Sequence, residues 1–356
     1  MKFSKLVLVA VVSSVFFVSC TNDDNNHETP LGDYDNGALI LNQGGFFKGN
    51  SSVSYLSDDF MTQQNNIFSL VNPTITLGDT GQDIGFNGDL AFIVLNVSNK
   101  IEVVNRYTMK HVATINAGLN NPRYIAFSNG KGFVTNWGDG GNASDDFVAV
   151  LNLTNYTVSS TIAVVEGPER IIANNNKLYV AHQGGYGYGN TISVIDGSTN
   201  TVSTKVTVGD VPNSLEISNG SLYVICGGKP SYAPTETAGS FIKINVSNNV
   251  VTSTINFPAK THPSNLDVVD SNVFYTVGSD IYKSTLSATT LPSTPLFSTT
   301  AQGVYGVYSF AVHNNKVFVG DAGDYSSNGK IYIYSSIGTL EKDYTVGIIP
   351  AGFYFN

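Results

Sequence analysis

The chain has 356 residues, 27 of them acidic and 18 basic, for a net charge of −9 with histidine neutral. The basic side chains are scattered rather than gathered, so no cationic patch is available for a phosphate backbone, and nucleic-acid binding is excluded. Two cysteines support neither a disulfide framework nor a cysteine-based metal site, and stability must come from packing.

Residues 1–19 read as an export signal, with Lys2 and Lys5, an apolar run from Leu6 to Val18, and Ser19 before Cys20. That run is too short and wrongly flanked for a spanning helix. A cysteine directly after a small residue resembles the bacterial lipobox, with Phe17 an unusual residue at its first position. The resemblance implies cleavage before Cys20 and acylation of that cysteine, for example with palmitate, which tethers an otherwise soluble domain to a membrane. Loss of residues 1–19 leaves 16 basic against 27 acidic side chains and Cys226 as the remaining thiol. Residues 20–37 are polar and suit a solvated tether. Asp23-Asp24 behind the cysteine resembles the signal for display on the outer face of the outer membrane in Bacteroidetes-type lipoproteins.

From residue 38 to the end one unit recurs: an opening Pro or Gly, a short β-run, a tight turn, a second β-run, a variable loop, and two more β-runs. It opens at Gly81, Pro122, Pro168, Pro212, Pro263, Tyr308 and Pro350, with spacings of 41, 46, 44, 51, 45 and 42 residues. Four strands at a period near 40 to 50 predict an all-β fold, a seven-bladed β-propeller over 38–356. In the copy that opens at Pro168, Arg170-Ile-Ile-Ala leads through Asn174-Asn-Asn to Lys177-Leu-Tyr-Val, and Thr191 to Asp196 then alternates apolar and polar. Asn87-Gly88, Asn129-Gly130 and Asn219-Gly220 are strong hairpin signals. The last copy has only a first strand, residues 350–356. The segment from Leu39 to about Thr76 has the other three, so the two ends are expected to complete one blade and close the ring.

In such a blade the opening residues and the loop after the second strand share a face. The loops expected there are 43–50, 136–146, 182–190, 226–239 and 320–329, rich in Gly and aromatic residues, with short ones at 96–99 and 278–280. Costly exposed aromatics gathered on one side mark a binding surface. The candidate ligand-binding residues are Gln43 and Phe47, Gln82 and Asp83, Arg123 and Tyr124, Trp137 and Asp139, Arg170, His182, Tyr186 and Tyr188, Asn213, Tyr232, Tyr308 and Tyr325. The ring of opening residues is amide-rich and carries both charges, which suits a large neutral or zwitterionic ligand. Arg123, Glu169 and Arg170 read equally well as an ion network around a water-filled channel.

No catalytic constellation is legible. Of His27, His111, His182, His262 and His313, only His182 and His262 fall near that face, and there is neither a Gly-x-Ser-x-Gly elbow nor a phosphate loop. Asp139-Gly-Gly-Asn142 with Asp145-Asp146 faintly resembles a calcium loop but lacks its alternating ligands and closing Glu. The expectation is a binding protein, not an enzyme, without cofactor or metal.

Lys177-Leu-Tyr-Val, Ile192-Ser-Val-Ile-Asp and Thr201-Val-x-x-Lys-Val-x-Val-Gly resemble the YVTN or YncE-like propellers. Leu41-Asn-Gln-Gly, Leu77-Gly-Asp-Thr-Gly-Gln-Asp83, Asn121-Pro-Arg-Tyr124 and Glu166-Gly-Pro-Glu169 resemble the Bacteroidetes surface lipoproteins with DUF5074-type repeats. The resemblance extends to members of that family that capture cobalamin. The resemblance implies a lipid-anchored surface propeller that captures cobalamin or another corrinoid and delivers it to a TonB-dependent outer-membrane barrel. Capture of a glycan, siderophore or haem, or service as a structural subunit of an outer-membrane complex, stand as alternatives, with a lyase-type propeller enzyme last.

Overall fold

The computed structural model describes residues 30–356. The export signal, Cys20 and the tether up to residue 29 lie outside the described residues. Among the described residues no helix is long and apolar enough to cross a membrane.

A strand sandwiched between two neighbouring sheets must be apolar on both faces, and the middle strands of most repeats are, the polar Asp280–Thr285 of the fifth repeat being an exception. In the blade of Pro168–Asn174, Lys177–His182, Thr191–Asp196 and Thr201–Thr207, the second and third strands are almost wholly buried. Leu178, Val180 and Ile195 pack on Phe133, Val148 and Val150 of the preceding blade. Tyr179, Ile192 and Val194 pack on Leu222, Val224 and Ile242 of the following one. The two-residue side-chain period thus splits each strand between two cores. The fourth strand, TVSTKVT, faces solvent, and its polar side chains and lysine discourage pairing with another chain.

Seven such four-stranded antiparallel sheets form the ring. Their innermost strands are Gly81–Asn87, Pro122–Ser128, Pro168–Asn174, Pro212–Ser218, Pro263–Val269, Ser309–His313 and Pro350–Phe355. The expected openings hold, except that the sixth strand begins one residue after Tyr308. The hairpins at Asn129-Gly130 and Asn219-Gly220 have both residues left-handed, as a type I′ turn requires. At the first repeat only Gly88 is left-handed while Asn87 stays in its strand. Two blades are short at the rim. The N-terminal blade ends in Gln63–Gln64 followed by a short helix, Ile67–Val71, and the fifth repeat ends in Phe297–Ser298.

Ring closure follows the expectation. Gly37–Asn42 pairs antiparallel with Pro350–Phe355, Ile40 opposite Phe353 and Leu39 opposite Tyr354. The C-terminus is then clamped. Arg106 donates to the Phe355 carbonyl at 2.8 Å and to Asn356 Oδ1 at 2.7 Å while its guanidinium lies 3.5 Å over the Phe86 ring. Asn356 returns bonds to the Gly37 and Tyr34 carbonyls. The chain enters this seam on the short-turn side of the ring, where the Tyr34 amide donates to the Tyr107 carbonyl at 2.8 Å.

Deleting residues 353–356 removes a buried phenylalanine, whose truncation alone costs ~3–5 kcal/mol, together with the ladder and the clamp. The expected outcome is loss of cooperative folding for the whole ring, visible as a collapsed melting transition in circular dichroism.

Candidate functional site

Six of the seven innermost strands shift register by one residue just after they enter the sheet, between Gly81 and Asp83, Pro122 and Ile125, Pro168 and Ile171, Pro212 and Ser214, Ser264 and Asp267, and Pro350 and Gly352. A bulge of this kind re-aims the side chains beside it. Here it turns the second and third residues of each strand toward the throat of the central channel.

Those residues join blade to blade. Arg123 makes a two-pronged bond to Glu169, Nε to Oε2 and Nη2 to Oε1, both 2.8 Å. Burial works against the Arg123 charge, yet the charge and hydrogen bonds of Glu169 outweigh it and hold the guanidinium protonated. Arg170 stacks over Tyr124 at 4.2 Å, and Tyr124 Oη accepts from Gln82 at 3.0 Å. Asp83 accepts from the Ile125 amide at 3.0 Å and from Tyr354 Oη at 3.1 Å. Tyr308 Oη donates to Gln43 at 2.9 Å, and burial pushes that phenol up to about 12. Asn213 donates to the Pro263 carbonyl and Asn265 to that of Val307. Of the three residues of the ion-network reading, Arg123 and Glu169 form an ion pair, whereas Arg170 stacks on Tyr124; Gln82, Asp83, Tyr124 and Tyr308 bond to side chains and backbone of neighbouring blades.

Above the throat the long loops form a floor with two pockets. The first, about 460 Å³, is lined by Phe46, Phe47, Asn96, Asn99, Asn120, Asn121, Arg123, Trp137, Asp139 and Tyr186. Trp137 lies flat over Arg123, 4.2 Å from its guanidinium, and meets the Tyr186 ring edge-on at 6.2 Å. It is only 9% exposed and its Nε1 has no partner, while Tyr186 is 79% exposed. The second pocket, about 370 Å³, is lined by Gln183, Tyr188, Asn213, Pro230, Tyr232 and His262. His262 is held between the Gly227 carbonyl at 2.9 Å and Glu236 at 3.1 Å. Tyr325 stands at the rim, edge-on to Tyr308 at 5.8 Å.

Every aromatic side chain exposed among the described residues lies on this face: Phe46, Phe47, Tyr186, Tyr188, Tyr232, Tyr305 and Tyr325. The opposite face has two-residue turns between first and second strands and connections of four to eleven residues between third and fourth strands, and carries none of these exposed aromatics. Aliphatic side chains such as Met61 and Ile337 are exposed on the other side as well, so it is the gathering of the aromatics on one face that marks an interaction surface.

His182 corrects the sequence expectation. It closes the second strand of its blade and points inward, 1% exposed, with Nε2 2.8 Å from Ser193 Oγ. Burial pulls its pKa down to about 4, so it is a neutral core imidazole and not a ligand contact. The loop over 139–146 is held by its own hydrogen bonds. Its carboxylates cap backbone amides, Asp145 that of Asp139 and Asp139 that of Gly141, and no metal-binding group of three or more such residues occurs among the described residues. Cys226 is buried, and that burial pushes its thiol up to about 12, which leaves it inert.

Three features escaped sequence reasoning. Phe46 and Asn121 lay beside residues already singled out. Tyr305, 98% exposed, sits in a connector between blades that a repeat-based reading skips. Glu216 and Asp267 line a chamber of about 350 Å³ in the channel, with Arg170, Phe310, Phe353 and Phe355. They stand mid-strand, where other repeats have Gly85, Ala126 or Ile172, and only counting past the bulge reveals that they face the axis. Burial, with the Asp267 charge added, pushes Glu216 from 4.5 up to about 8, and burial lifts Asp267 to about 6.

Two outcomes follow. Glu169→Gln strands the Arg123 charge in the throat and is expected to lower stability by ~3–5 kcal/mol, whereas the paired Arg123→Met/Glu169→Leu change loses much less; urea titration measures both. A carboxyl whose pKa is raised in the folded state stabilises below the unfolded value and loses that contribution as pH climbs to the folded one. Thermal stability is therefore expected to fall between about pH 4.5 and 8, and Glu216→Gln to flatten that slope. Melts at pH 5 and pH 8 report it.

Among solved structures, the chain is similar to a quinonprotein alcohol dehydrogenase-like protein from Bacteroides thetaiotaomicron, with TM-score 0.66, 12% identity, and coverage of 90% of this chain and 78% of that one. It is also similar to the computationally designed Ika8 protein, with TM-score 0.57, 11% identity and coverage of 91% and 92%. BamB from Moraxella catarrhalis is a third, with TM-score 0.51, 13% identity and coverage of 88% and 84%. At these identities the likeness extends to the fold alone. No curated protein matches the chain. The family model described as "Domain of unknown function (DUF5074)" matches residues 36–356, the whole of the ring, and the chain belongs to that family.

Proposed function

We propose that this protein is a lipid-anchored, surface-displayed outer-membrane protein whose aromatic loop face captures a corrinoid, cobalamin first, and passes it to a TonB-dependent barrel. The observation that carries the capture is the gathering of all seven exposed aromatics among the described residues on one face. Beneath them lie amides, Asn96, Asn99, Asn120 and Asn121 in the first pocket and Gln183 and Asn213 in the second. Aromatic walls over an amide floor suit a large, nearly neutral ligand fringed with hydrogen-bonding groups. The choice of a corrinoid, the anchor and the barrel rest on the resemblance of the repeat motifs to the cobalamin-capturing lipoproteins. On this reading the protein is not an enzyme: the channel carboxylates Glu216 and Asp267 line neither of the two loop-face pockets.

Calorimetry with cyanocobalamin and the soluble domain from about residue 30 is expected to show tight 1:1 binding. Trp137→Ala with Tyr186→Ala should abolish it while the melting transition survives. No heat at micromolar protein would sink the corrinoid reading and leave the propeller untouched.

A further inference from the structure

The two pockets of the loop face share one wall. The loop between His182 and Thr191 carries Tyr186 into the first pocket and Tyr188 into the second, and residues two apart have Cα atoms at most about 7 Å from each other. That wall is rigid. Gly187 donates to the Gly184 carbonyl at 2.6 Å, Gly189 to Gln183 at 2.7 Å, and Val211 to Gly189 at 2.7 Å. A Cβ on Gly184 would collide with the Gly189 backbone, and one on Gly167 with that of Gly185. The loop can fold this tightly only because those positions are glycine. Gly140 closes against the Tyr186 ring from the other side, where a Cβ would stand 2.9 Å from it. The crest itself, from Gly185 to Gly187, presents no side chain but Tyr186.

The pockets are also chemically alike. Each offers an aromatic wall, Phe46, Phe47 and Tyr186 in one and Tyr188 and Tyr232 in the other, with primary amides beside it. Each is of a size for one ring system, at the low end of ligand pockets. From this pairing we infer that the two pockets are subsites for a single bipartite ligand. It has two ring systems, each with an apolar face and a hydrogen-bonding edge, joined by a polar connector that crosses the glycine crest. The inference rests on the loop face being the capture site, and it adds the shape the ligand must have. A corrinoid with its nucleotide tail has that shape, and so do two sugar rings of an oligosaccharide.

The test uses the soluble domain, wild type, Tyr186→Ala and Tyr188→Ala, titrated with cyanocobalamin, with dicyanocobinamide, which lacks the nucleotide, and with maltohexaose. Both tyrosines are exposed, so unchanged melting temperatures confirm folded variants. Each variant is expected to weaken cyanocobalamin on the order of tenfold, the size of one lost aromatic partner, at one ligand per chain. Dicyanocobinamide should respond to only one of the two changes. Cyanocobalamin binding that ignores either tyrosine, or a stoichiometry of two, overturns the bipartite ligand while leaving corrinoid capture standing. Silence with both corrinoids but maltohexaose binding that both variants weaken overturns the corrinoid and keeps the bipartite site. Silence with all three overturns both.

Discussion

The antiparallel ladder between Gly37–Asn42 and Pro350–Phe355 decides whether the rest of the molecule can exist. Each blade shares its core only with its two neighbours, so the packing energy is spread evenly and no central cluster would hold an open arc together. Joining the first and last segments gives every blade two neighbours and leaves no sheet with an uncovered face. The clamp of Arg106 on Phe355 and Asn356, backed by the Phe86 ring, secures that ladder at its terminal end, where a strand would otherwise fray.

The closed ring then sets what the loop face can do. The throat is occupied by paired and stacked groups, Arg123 with Glu169, Arg170 on Tyr124, Tyr354 on Asp83. Above it stand the loops that carry the two pockets. Trp137 ties the two levels together, lying on Arg123 below and meeting Tyr186 above. Disturbance of the throat ion pair should therefore be felt in the first pocket, because the Trp137 ring rests on one of its members. The two pockets owe their separation to backbone rather than side chains, since the wall between them is a glycine-rich loop folded on itself.

Most of the ring could be read from the chain because its signals are local. The opening prolines, the Asn-Gly turns and the alternation in Thr191–Asp196 each follow from the conformational limits of a few residues. So did the gathering of loops on one face, which needs only the up-and-down order of four strands. The direction of individual side chains was harder. His182 sits at the border between a strand and a loop, and a step of one residue separates the core from the surface. Glu216 and Asp267 reach the axis only because of a one-residue shift whose register is decided by contacts across the ring. Tyr305 falls in a connector whose position depends on a fourth strand of only two residues. Long-range geometry settles all three, and a linear pattern carries no trace of it.

The chain joins the ring at Tyr34 and Tyr107, on the side away from the exposed aromatics, and runs straight into Gly37–Asn42. That strand is flanked on both edges, by Ser52–Ser57 and by Pro350–Phe355. A pull that draws Leu31 away from the domain acts along the strand and loads both ladders in shear, with all their hydrogen bonds sharing the force, instead of peeling them one at a time. The seam that closes the ring would thereby bear such a pull before it reached the loops that carry the pockets.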